Sequence, residues 1–485
     1  MQLLAMPNAR TEAVRGLFSN QLFHLPIVSI LSAILLFSSL HIGGLSGYDD
    51  AIFAHESKEM LKTADWGTVR GNGQLHFDYP PLFYWMGAVS MSVFGFSDFA
   101  AKFPAALCGF LLIVLIFFLA RELTTDFLTP IIAAWVLMLT QYFMKYSTHA
   151  MSDVPFALFF TLAIFLYIKG LKAPRFLVLC GLAIALAIMT RTVLGGIPAA
   201  VIVAHIILTR RYDVFRSKSF LIGGLLVLAL PMTWYIYSYR THGPAFLQGH
   251  FSFIWTKVVS ESGLHGQDFL LGLFTYPGLL IKMYQPWLIL AVVGLVWQVK
   301  KVINERDSSA MLLVLWVLFV LLPFSLVSAK VLRYIMPVFP AVAILAAIPL
   351  SRWLPKLIVP RFRTVAFFLL CSLVVIIAVF PNPRHRAEDV LAIAPAIQSG
   401  SQPGERLVLY TNGERRNDLA NQLLWYADRY FYYFVDYDEL NSKMRSGEHS
   451  GFVVDRETFE ERIKDSGLDI DVVGKTDKFV LFRVN

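Results

Sequence analysis

The sequence places a small set of charged residues at the ends of long apolar segments, where charge is costly. The set comprises four acids and three bases, namely Asp49, Asp50, Asp78, Asp153, Arg191, Lys330 and Arg333. Asp78 and Asp153 each stand two residues before a proline, and Arg191 stands shortly before a Gly-Gly pair. Such breaks interrupt helices and let a helix end line a cavity. We therefore expect these carboxylates and cations at one depth, around one pocket.

This combination suits the transfer of a group away from a phosphate that is anchored in the bilayer. Fixed cations stabilise such a phosphate as its charge grows in the transition state. A nearby carboxylate can accept the proton of an attacking hydroxyl, and two acids in one site keep one pKa raised, which suits a base. The alternative is that these charges cap helix ends and pair with one another in solvated loops.

The composition excludes an ordinary soluble enzyme. The 485 residues are 56% hydrophobic and only 16% charged, with a mean hydropathy of +0.60, against about 45–50% and about 25% in soluble chains. The 40 Phe, 19 Tyr and 10 Trp exclude a disordered chain. Cys108, Cys180 and Cys371 lie in apolar runs, which predicts buried thiols and no disulfide scaffold.

Apolar runs recur between residues 25 and 381 at roughly the 20-residue length that spans a bilayer. They predict a polytopic α-helical membrane protein with about 11 spans, within a range of about 10–13. The predicted starts lie near Leu25, Ala100, Leu128, Asp153, Phe176, Val193, Ser219, Leu279, Ala310, Ile335 and Thr364. The first span is expected to be a retained anchor.

Lysine and arginine cluster in alternate loops between these runs. The positive-inside rule places such loops in the cytoplasm. The amino terminus is then cytoplasmic, whereas the charged pocket and everything after Pro381 are extracytoplasmic. The protein is predicted to reside in the cytoplasmic (inner) membrane. Its net charge of +8 is expected to face membrane lipids and not nucleic acid.

Two domains are predicted. Residues 1–381 form the membrane domain, with long outside loops at about 46–99 and 238–277; residues 50–61 are expected to form an interfacial helix whose Ile52, Phe53, Met60 and Leu61 face lipid. Residues 81–96 are expected at the interface rather than across the membrane. Residues 382–485 are about 31% charged, against about 12% before them, and their alternating strand and helix patterns predict a soluble α/β domain.

Several separate motifs resemble the GT-C glycosyltransferases. They are Gly47–Leu61 (GYDDAIFAHESKEML), Ala64-Asp65-Trp66, Asp78–Trp85 (DYPPLFYW), Met151–Pro155 (MSDVP) and Lys330–Pro340 (KVLRYIMPVFP). The most similar group contains the protein O-mannosyltransferases and the lipid A 4-amino-4-deoxyarabinose transferases (glycosyltransferase family 39 and its relatives). The likeness covers roughly the first 350 residues, and the spacing of several motifs makes it specific.

The resemblance implies that a monosaccharide is transferred from a polyprenyl-phosphate donor to a lipid, glycan or protein acceptor outside the cytoplasm. In this reading Asp49 and Asp153 match the catalytic acids of the first and second loops. A single displacement inverts the anomeric configuration, with Asp49 as the base or as the group that orients the acceptor. The expected substrate-binding residues are Asp50, Asp78, Tyr79, Arg191, Lys330, Arg333 and Tyr334.

The sequence departs from the family in two places. Tyr79 stands where the aminoarabinose transferases carry a phosphate-contacting lysine, and the tail lacks the β-trefoil domain of the eukaryotic mannosyltransferases. A relative with a different sugar or acceptor therefore fits better. Some relatives hold a metal near the Pro-Pro acid, so Asp78 and His250 are candidates to bind a divalent ion; the alternative is that His250 only forms hydrogen bonds.

Two other classes of function compete with an enzyme. A transporter, or a flippase for a glycolipid, predicts ionisable groups near the bilayer midplane and internal repeats, and the sequence has neither pattern. A receptor or scaffold whose tail binds a partner leaves the acidic first loop unexplained.

Overall fold

The computed structural model describes residues 21–47, 49–256, 275–276, 278–281, 284–326, 332–357, 387–411, 416–434 and 436–485. Within them the fold is a bundle of apolar helices with a five-stranded sheet domain at its carboxyl end. Cys108 and Cys180 are buried and unbridged, as the sequence predicts, and Cys371 lies outside these residues.

Fourteen helices before the sheet domain have both ends within the described residues, beside three short 3-10 helices, and residues 275–276 and 278–281 are helical as well. The fourteen helices are α1 Gln21–Phe37, α2 Asp49–Thr63, α3 Leu82–Phe94, α4 Asp98–Leu123, α5 Thr129–Met138, α6 Gln141–Ser147, α7 Asp153–Lys172, α8 Phe176–Arg191, α9 Ile197–Leu208, α10 Lys218–His242, α11 Pro244–Trp255, α12 Trp287–Glu305, α13 Ser308–Leu326 and α14 Phe339–Leu357. The 3-10 helices are Thr192–Gly196, Val214–Arg216 and Leu332–Val338.

Seven helical segments of the described chain are long and apolar enough to cross a membrane, so the protein is a multi-pass membrane protein. One of them, Phe176–Leu208, folds back on itself. Arg191 at its middle bonds Asp153 at the start of α7, whereas His205 near its end bonds Tyr167, about 21 Å further along α7. The predicted separate starts near Phe176 and Val193 agree with this reversal. The predicted span near Thr364 lies outside the described residues.

The segment predicted as the first outside loop folds into α2, a small hairpin of β1 Arg70–Gly71 and β2 Gln74–Leu75, and α3. With 13 residues, α3 is shorter than the roughly 20 that span a bilayer. Phe53 and Met60 of α2 are only 6% and 1% exposed and pack with Phe83 of α3. The prediction that Phe53 and Met60 face lipid was therefore wrong, because Val69 and α3 cover these two side chains.

The sheet domain contains α15 Glu388–Gly400, β3 Arg406–Tyr410, α16 Arg416–Tyr426, β4 Tyr430–Phe434, α17 Tyr437–Ser446, β5 Gly451–Asp455, a helical turn Arg456–Thr458 continued by a π-helix Phe459–Ile463, β6 Ile470–Lys475 and β7 Phe479–Val484. The strand order is β4-β3-β5-β7-β6. Strand β3 is parallel to β4 and β5, and β7 is antiparallel to β5 and β6.

Alternate residues of the strands feed two cores, one on each face of the sheet. Leu407 and Leu409 pack under α15 and α16, whereas Val408 packs under α17 on the opposite face. The predicted α/β tail is thus confirmed. Helix α15 was not predicted, although its buried positions 390, 393, 394 and 397 follow the spacing of an amphipathic helix.

Candidate active site

Four helix ends meet at one end of the bundle. Asp49 and Asp153 lie in the first turns of α2 and α7, and Arg191 lies in the last turn of α8. Arg333 lies in the 3-10 helix Leu332–Val338. The partial positive charge of a helix amino terminus favours the two acids, and the opposite charge at a carboxyl terminus favours the arginine. Four of the predicted charged residues, Asp49, Asp153, Arg191 and Arg333, are thus brought together by elements from distant parts of the chain.

The guanidinium of Arg333 forms an ion pair with the carboxylate of Asp49. The Asp49 side chain is 27% exposed and that of Arg333 is 14% exposed. The pair therefore lies at the open side of the site, where an incoming anion or hydroxyl can reach it.

Arg191 and Asp153 form a second ion pair that is almost fully buried. Arg191 also donates a hydrogen bond to the Tyr79 hydroxyl at 3.0 Å, and its guanidinium carbon lies 5.0 Å from the centre of the Tyr79 ring. The Tyr334 ring lies between the two arginines, 5.8 Å from Arg191 and 5.6 Å from Arg333. Both cations are thus held by aromatic rings as well as by carboxylates.

A cavity of about 150 Å³ opens beside the buried pair. Its polar wall is formed by Tyr79, Asp153, Arg191 and Tyr334. The remaining wall is largely apolar and consists of Phe156, Thr192, Val193, Leu194, Phe253, Ile254 and Phe324. Such a cavity can receive an anionic group at one end and a hydrocarbon chain at the other.

The structure changes the expectation for Asp50. Its side chain is fully buried and accepts hydrogen bonds from the backbone and hydroxyl of Ser46 at 2.9 and 3.1 Å, and from the backbone of Ala150 at 2.5 Å. Asp50 therefore does not face the pocket as a substrate-binding residue. It joins the first acidic loop to the segment that leads into Asp153.

Asp78 lies at the end of a charged chain that sequence reasoning missed. Its carboxylate is 2.9 Å from one ring nitrogen of His76, and the other ring nitrogen pairs with the buried Glu56. The charge of Glu56 is the main cause that raises the pKa of His76 to about 11, so His76 is a cation. The pairing of Glu56, His76 and Asp78 in series thus holds the Asp78 side chain in place.

The contacts of His250 do not build the predicted metal site. One ring nitrogen bonds the Tyr235 hydroxyl at 2.9 Å, and the other bonds the backbone carbonyl of Phe77 at 2.6 Å. Asp78 itself is engaged by His76. The described residues contain no cluster of three metal-ligating side chains, and the hydrogen-bonding alternative for His250 describes its contacts.

Two further residues near the pocket were not anticipated. The Tyr146 side chain is hydrogen-bonded to Arg333, and the Lys145 ammonium lies 5.6 Å from the Tyr146 ring. Both belong to α6, just before the second acidic motif. A lysine with tyrosines at that place in the sequence was the signal that could have identified them. The predicted Lys330 lies outside the described residues.

The sequence is similar to several known proteins. A family model described as dolichyl-phosphate-mannose-protein mannosyltransferase matches residues 78–237. A protein of Aquifex aeolicus is 29% identical over 328 residues, which cover 67% of this chain and 63% of the relative. The undecaprenyl phosphate-α-4-amino-4-deoxy-L-arabinose arabinosyl transferase of Aeromonas hydrophila is 27% identical over 372 residues, covering 73% and 66%. The chain thus spans less than two thirds of the length of these relatives.

Solved structures share the fold. ArnT from Cupriavidus metallidurans, bound to undecaprenyl phosphate, superposes with a TM-score of 0.73 at 20% identity, over 94% of this chain and 97% of that one. The oligosaccharyltransferase of Archaeoglobus fulgidus, in complex with zinc and sulfate, superposes with a TM-score of 0.58 at 15% identity, over 90% and 68%. At these identities the likeness shows the fold alone.

Proposed function

We propose that this chain transfers a monosaccharide from a polyprenyl-phosphate donor. The chain belongs to the GT-C superfamily of the protein O-mannosyltransferases and the lipid A aminoarabinose transferases. The acceptor is a lipid, a glycan or a protein at the extracytoplasmic side of the cytoplasmic membrane. The observation that carries the proposal is the meeting of two acid–arginine pairs, Asp49 with Arg333 and Asp153 with Arg191, of which the second lines a cavity.

The donor fits the two-sided character of the cavity. Arg191 and Arg333 provide two fixed guanidinium groups, which bind phosphate through charge-assisted hydrogen bonds. The apolar wall offers a surface for the first prenyl units. Relatives named as undecaprenyl-phosphate-dependent transferases, and a related structure bound to undecaprenyl phosphate, support a donor of this chemical class.

The two acids take different roles in the proposed reaction. Asp153 is buried against Arg191, so its charge holds that cation in place. Asp49 is partly exposed and is the better base. The acceptor oxygen attacks the anomeric carbon and gives its proton to Asp49, while the bond from that carbon to the phosphate oxygen breaks.

The electron pair of that bond leaves with the polyprenyl phosphate, whose growing charge Arg333 and Arg191 stabilise. A single displacement of this kind inverts the anomeric configuration. An acceptor that is itself an ionised phosphate needs no base, and Asp49 then only orients it. In the resting site Arg333 is paired with Asp49, so donor binding also places an anion beside the base.

The direct test is incubation of the purified protein with a panel of polyprenyl-phosphate sugars and candidate acceptors, with products identified by mass spectrometry. We expect sugar transfer by the unsubstituted protein and a loss of about 10²- to 10⁴-fold in Asp49→Asn, since a positioned base contributes about that factor. Asp65→Asn is the matched control, because Asp65 lies in the same loop but pairs with Arg70 at 3.2 Å.

Full activity in Asp49→Asn would remove Asp49 from the mechanism. Movement of a lipid-linked sugar across the membrane of reconstituted vesicles, with no transfer of sugar to any acceptor in the panel, would instead favour the flippase alternative.

A further inference from the structure

The sheet domain inserts two aromatic side chains, Trp425 and Tyr426, into the base of the first outside loop. The Trp425 indole N–H donates to one carboxylate oxygen of Asp98 at 3.0 Å, and the Tyr426 hydroxyl donates to the other at 2.9 Å. Asp98 is the first residue of α4. One carboxylate thus fastens the end of α16 to the start of a membrane-spanning helix.

The same aromatic pair holds the segment before Asp49. The backbone N–H of Leu45 donates to the Tyr426 hydroxyl oxygen at 2.8 Å, and Gln422 of α16 donates to the Leu45 carbonyl at 2.9 Å. Both backbone polar groups of Leu45 are therefore bonded to the sheet domain. The next residue, Ser46, bonds Asp50, which is the neighbour of Asp49.

Packing reinforces this chain of contacts. Trp425 is only 5% exposed and belongs to one buried cluster with Ala51, Ala54, Ala100 and Ala150. These alanines leave room for the indole between α2, α4 and the segment before Asp153. The backbone N–H of Ala150 also donates to Asp50. The indole therefore packs against both the segment that carries Asp49 and the segment that leads into Asp153.

We propose that the sheet domain is a positioning element of the transfer site, in which Trp425 and Tyr426 set the place of Asp49 through Leu45, Ser46 and Asp50. This inference rests on the proposed function. It assigns the domain to the chemical step rather than to donor binding. The two arginines proposed to hold the donor lie on other elements, because Arg191 ends α8 and Arg333 belongs to the 3-10 helix Leu332–Val338.

Other contacts keep the domain docked when the aromatic pair is altered. Asp428 forms ion pairs with Lys58 at 2.8 Å and Lys62 at 2.6 Å. The Asn72 side chain bonds both the backbone N–H and the carbonyl of Phe431, at 2.9 and 2.7 Å. A single substitution at Tyr426 therefore loosens the loop without releasing the domain.

The experiment compares Tyr426→Phe with Asp98→Asn, which removes an acceptor oxygen from the other side of the same contact. Tyr432→Phe is the matched control, because Tyr432 is 40% exposed on the edge strand β4. Each full-length protein is assayed in detergent for kcat, donor KM, donor affinity and hydrogen–deuterium exchange of a peptide covering residues 44–52.

We expect kcat to fall about tenfold in both test variants, because small displacements of a reacting group cost one to two orders of magnitude. Donor KM and affinity should stay within about twofold, and amide exchange of residues 45–50 should become faster. The control should match the unsubstituted protein in all four measurements.

Unchanged exchange in Tyr426→Phe and Asp98→Asn would overturn the proposed clamp, and so would an unchanged kcat where exchange is faster. A drop in donor affinity equal to the drop in kcat would also overturn it, since it would indicate general damage to the site. Failure of the proposed function appears differently, as a lack of sugar transfer by the unsubstituted protein, and the exchange measurement then still decides whether the pair holds the loop.

Discussion

Arg333 donates a hydrogen bond to Asp49, which stands 284 residues earlier in the chain. The pair lies at the open side of the site, whereas the pair of Arg191 and Asp153 is buried behind it. In the proposed function, Arg333 can therefore exchange its carboxylate for an incoming phosphate, whereas Arg191 is held in place. This division of roles leads to separate expectations for the two pairs.

Replacement of Arg333 by alanine should weaken donor binding more than acceptor binding. A hydrogen bond to a charged group contributes about 1.5–3 kcal/mol, so donor affinity in detergent is expected to fall roughly 10- to 150-fold. Arg333→Lys keeps the charge but not the planar fork and should recover part of the loss. Donor affinity unchanged in Arg333→Ala would show that the phosphate site is elsewhere.

The buried pair should behave as a unit in a double-mutant cycle. Asp153→Asn leaves the Arg191 guanidinium buried without its counter-charge, which typically costs about 3–5 kcal/mol of unfolding free energy. Asp153→Asn combined with Arg191→Gln removes both charges and should cost less than the two single changes added together. The free energy of unfolding in detergent is measured for the unsubstituted protein, the two single variants and the double variant. Strictly additive losses of that free energy would contradict the coupling.

Asp50 and Asp49 should differ in what they control. Asp50→Asn turns an acceptor of three hydrogen bonds into a group that carries its own donors, so we expect a stability loss of about 1–3 kcal/mol together with lower activity. Asp49→Asn should lose activity while its unfolding midpoint stays near that of the unsubstituted protein. Equal thermal stability of the two variants would be evidence against a structural role for Asp50.

His55 should make the part of the protein around α2 sensitive to acid. Burial, followed by the charge of Lys58, lowers the pKa of His55 from 6.5 to about 3. Between these values the unfolded chain binds a proton that the folded protein does not, so the contribution of His55 to stability is present above pH 6.5 and is lost as the pH falls toward 3.

His55→Gln keeps an acceptor for the Asn72 backbone N–H, which lies 3.3 Å from the His55 ring, but it does not titrate. Its unfolding temperature should therefore decline less between about pH 7.5 and about pH 5 than that of the unsubstituted protein. Parallel curves for the two proteins would show that another group governs the acid sensitivity.

Local patterns in the sequence were sufficient for much of the fold. The excess of apolar residues identifies a membrane protein, because a run of about 20 apolar residues has few other stable environments. The strands Gly451–Asp455 and Phe479–Val484 lie in the tail, whose alternating patterns predict an α/β domain. Sequence also selected most of the charges that meet beside the cavity, because a charge next to a proline or glycine break stands out in an apolar chain; their roles in transfer stay predictions.

Tertiary structure alone decided which of these charges face one another and which face the pocket. Nothing local distinguishes Asp49 from Asp50, yet one lies at the open side and the other is fully buried. The inward orientation of Phe53 and Met60 likewise depends on α3, which packs against them, and their neighbour Ile52 packs against the sheet domain, more than 300 residues away. Residue type and periodicity record whether a side chain prefers water or an apolar environment, but its actual neighbours are set by the packing of distant segments.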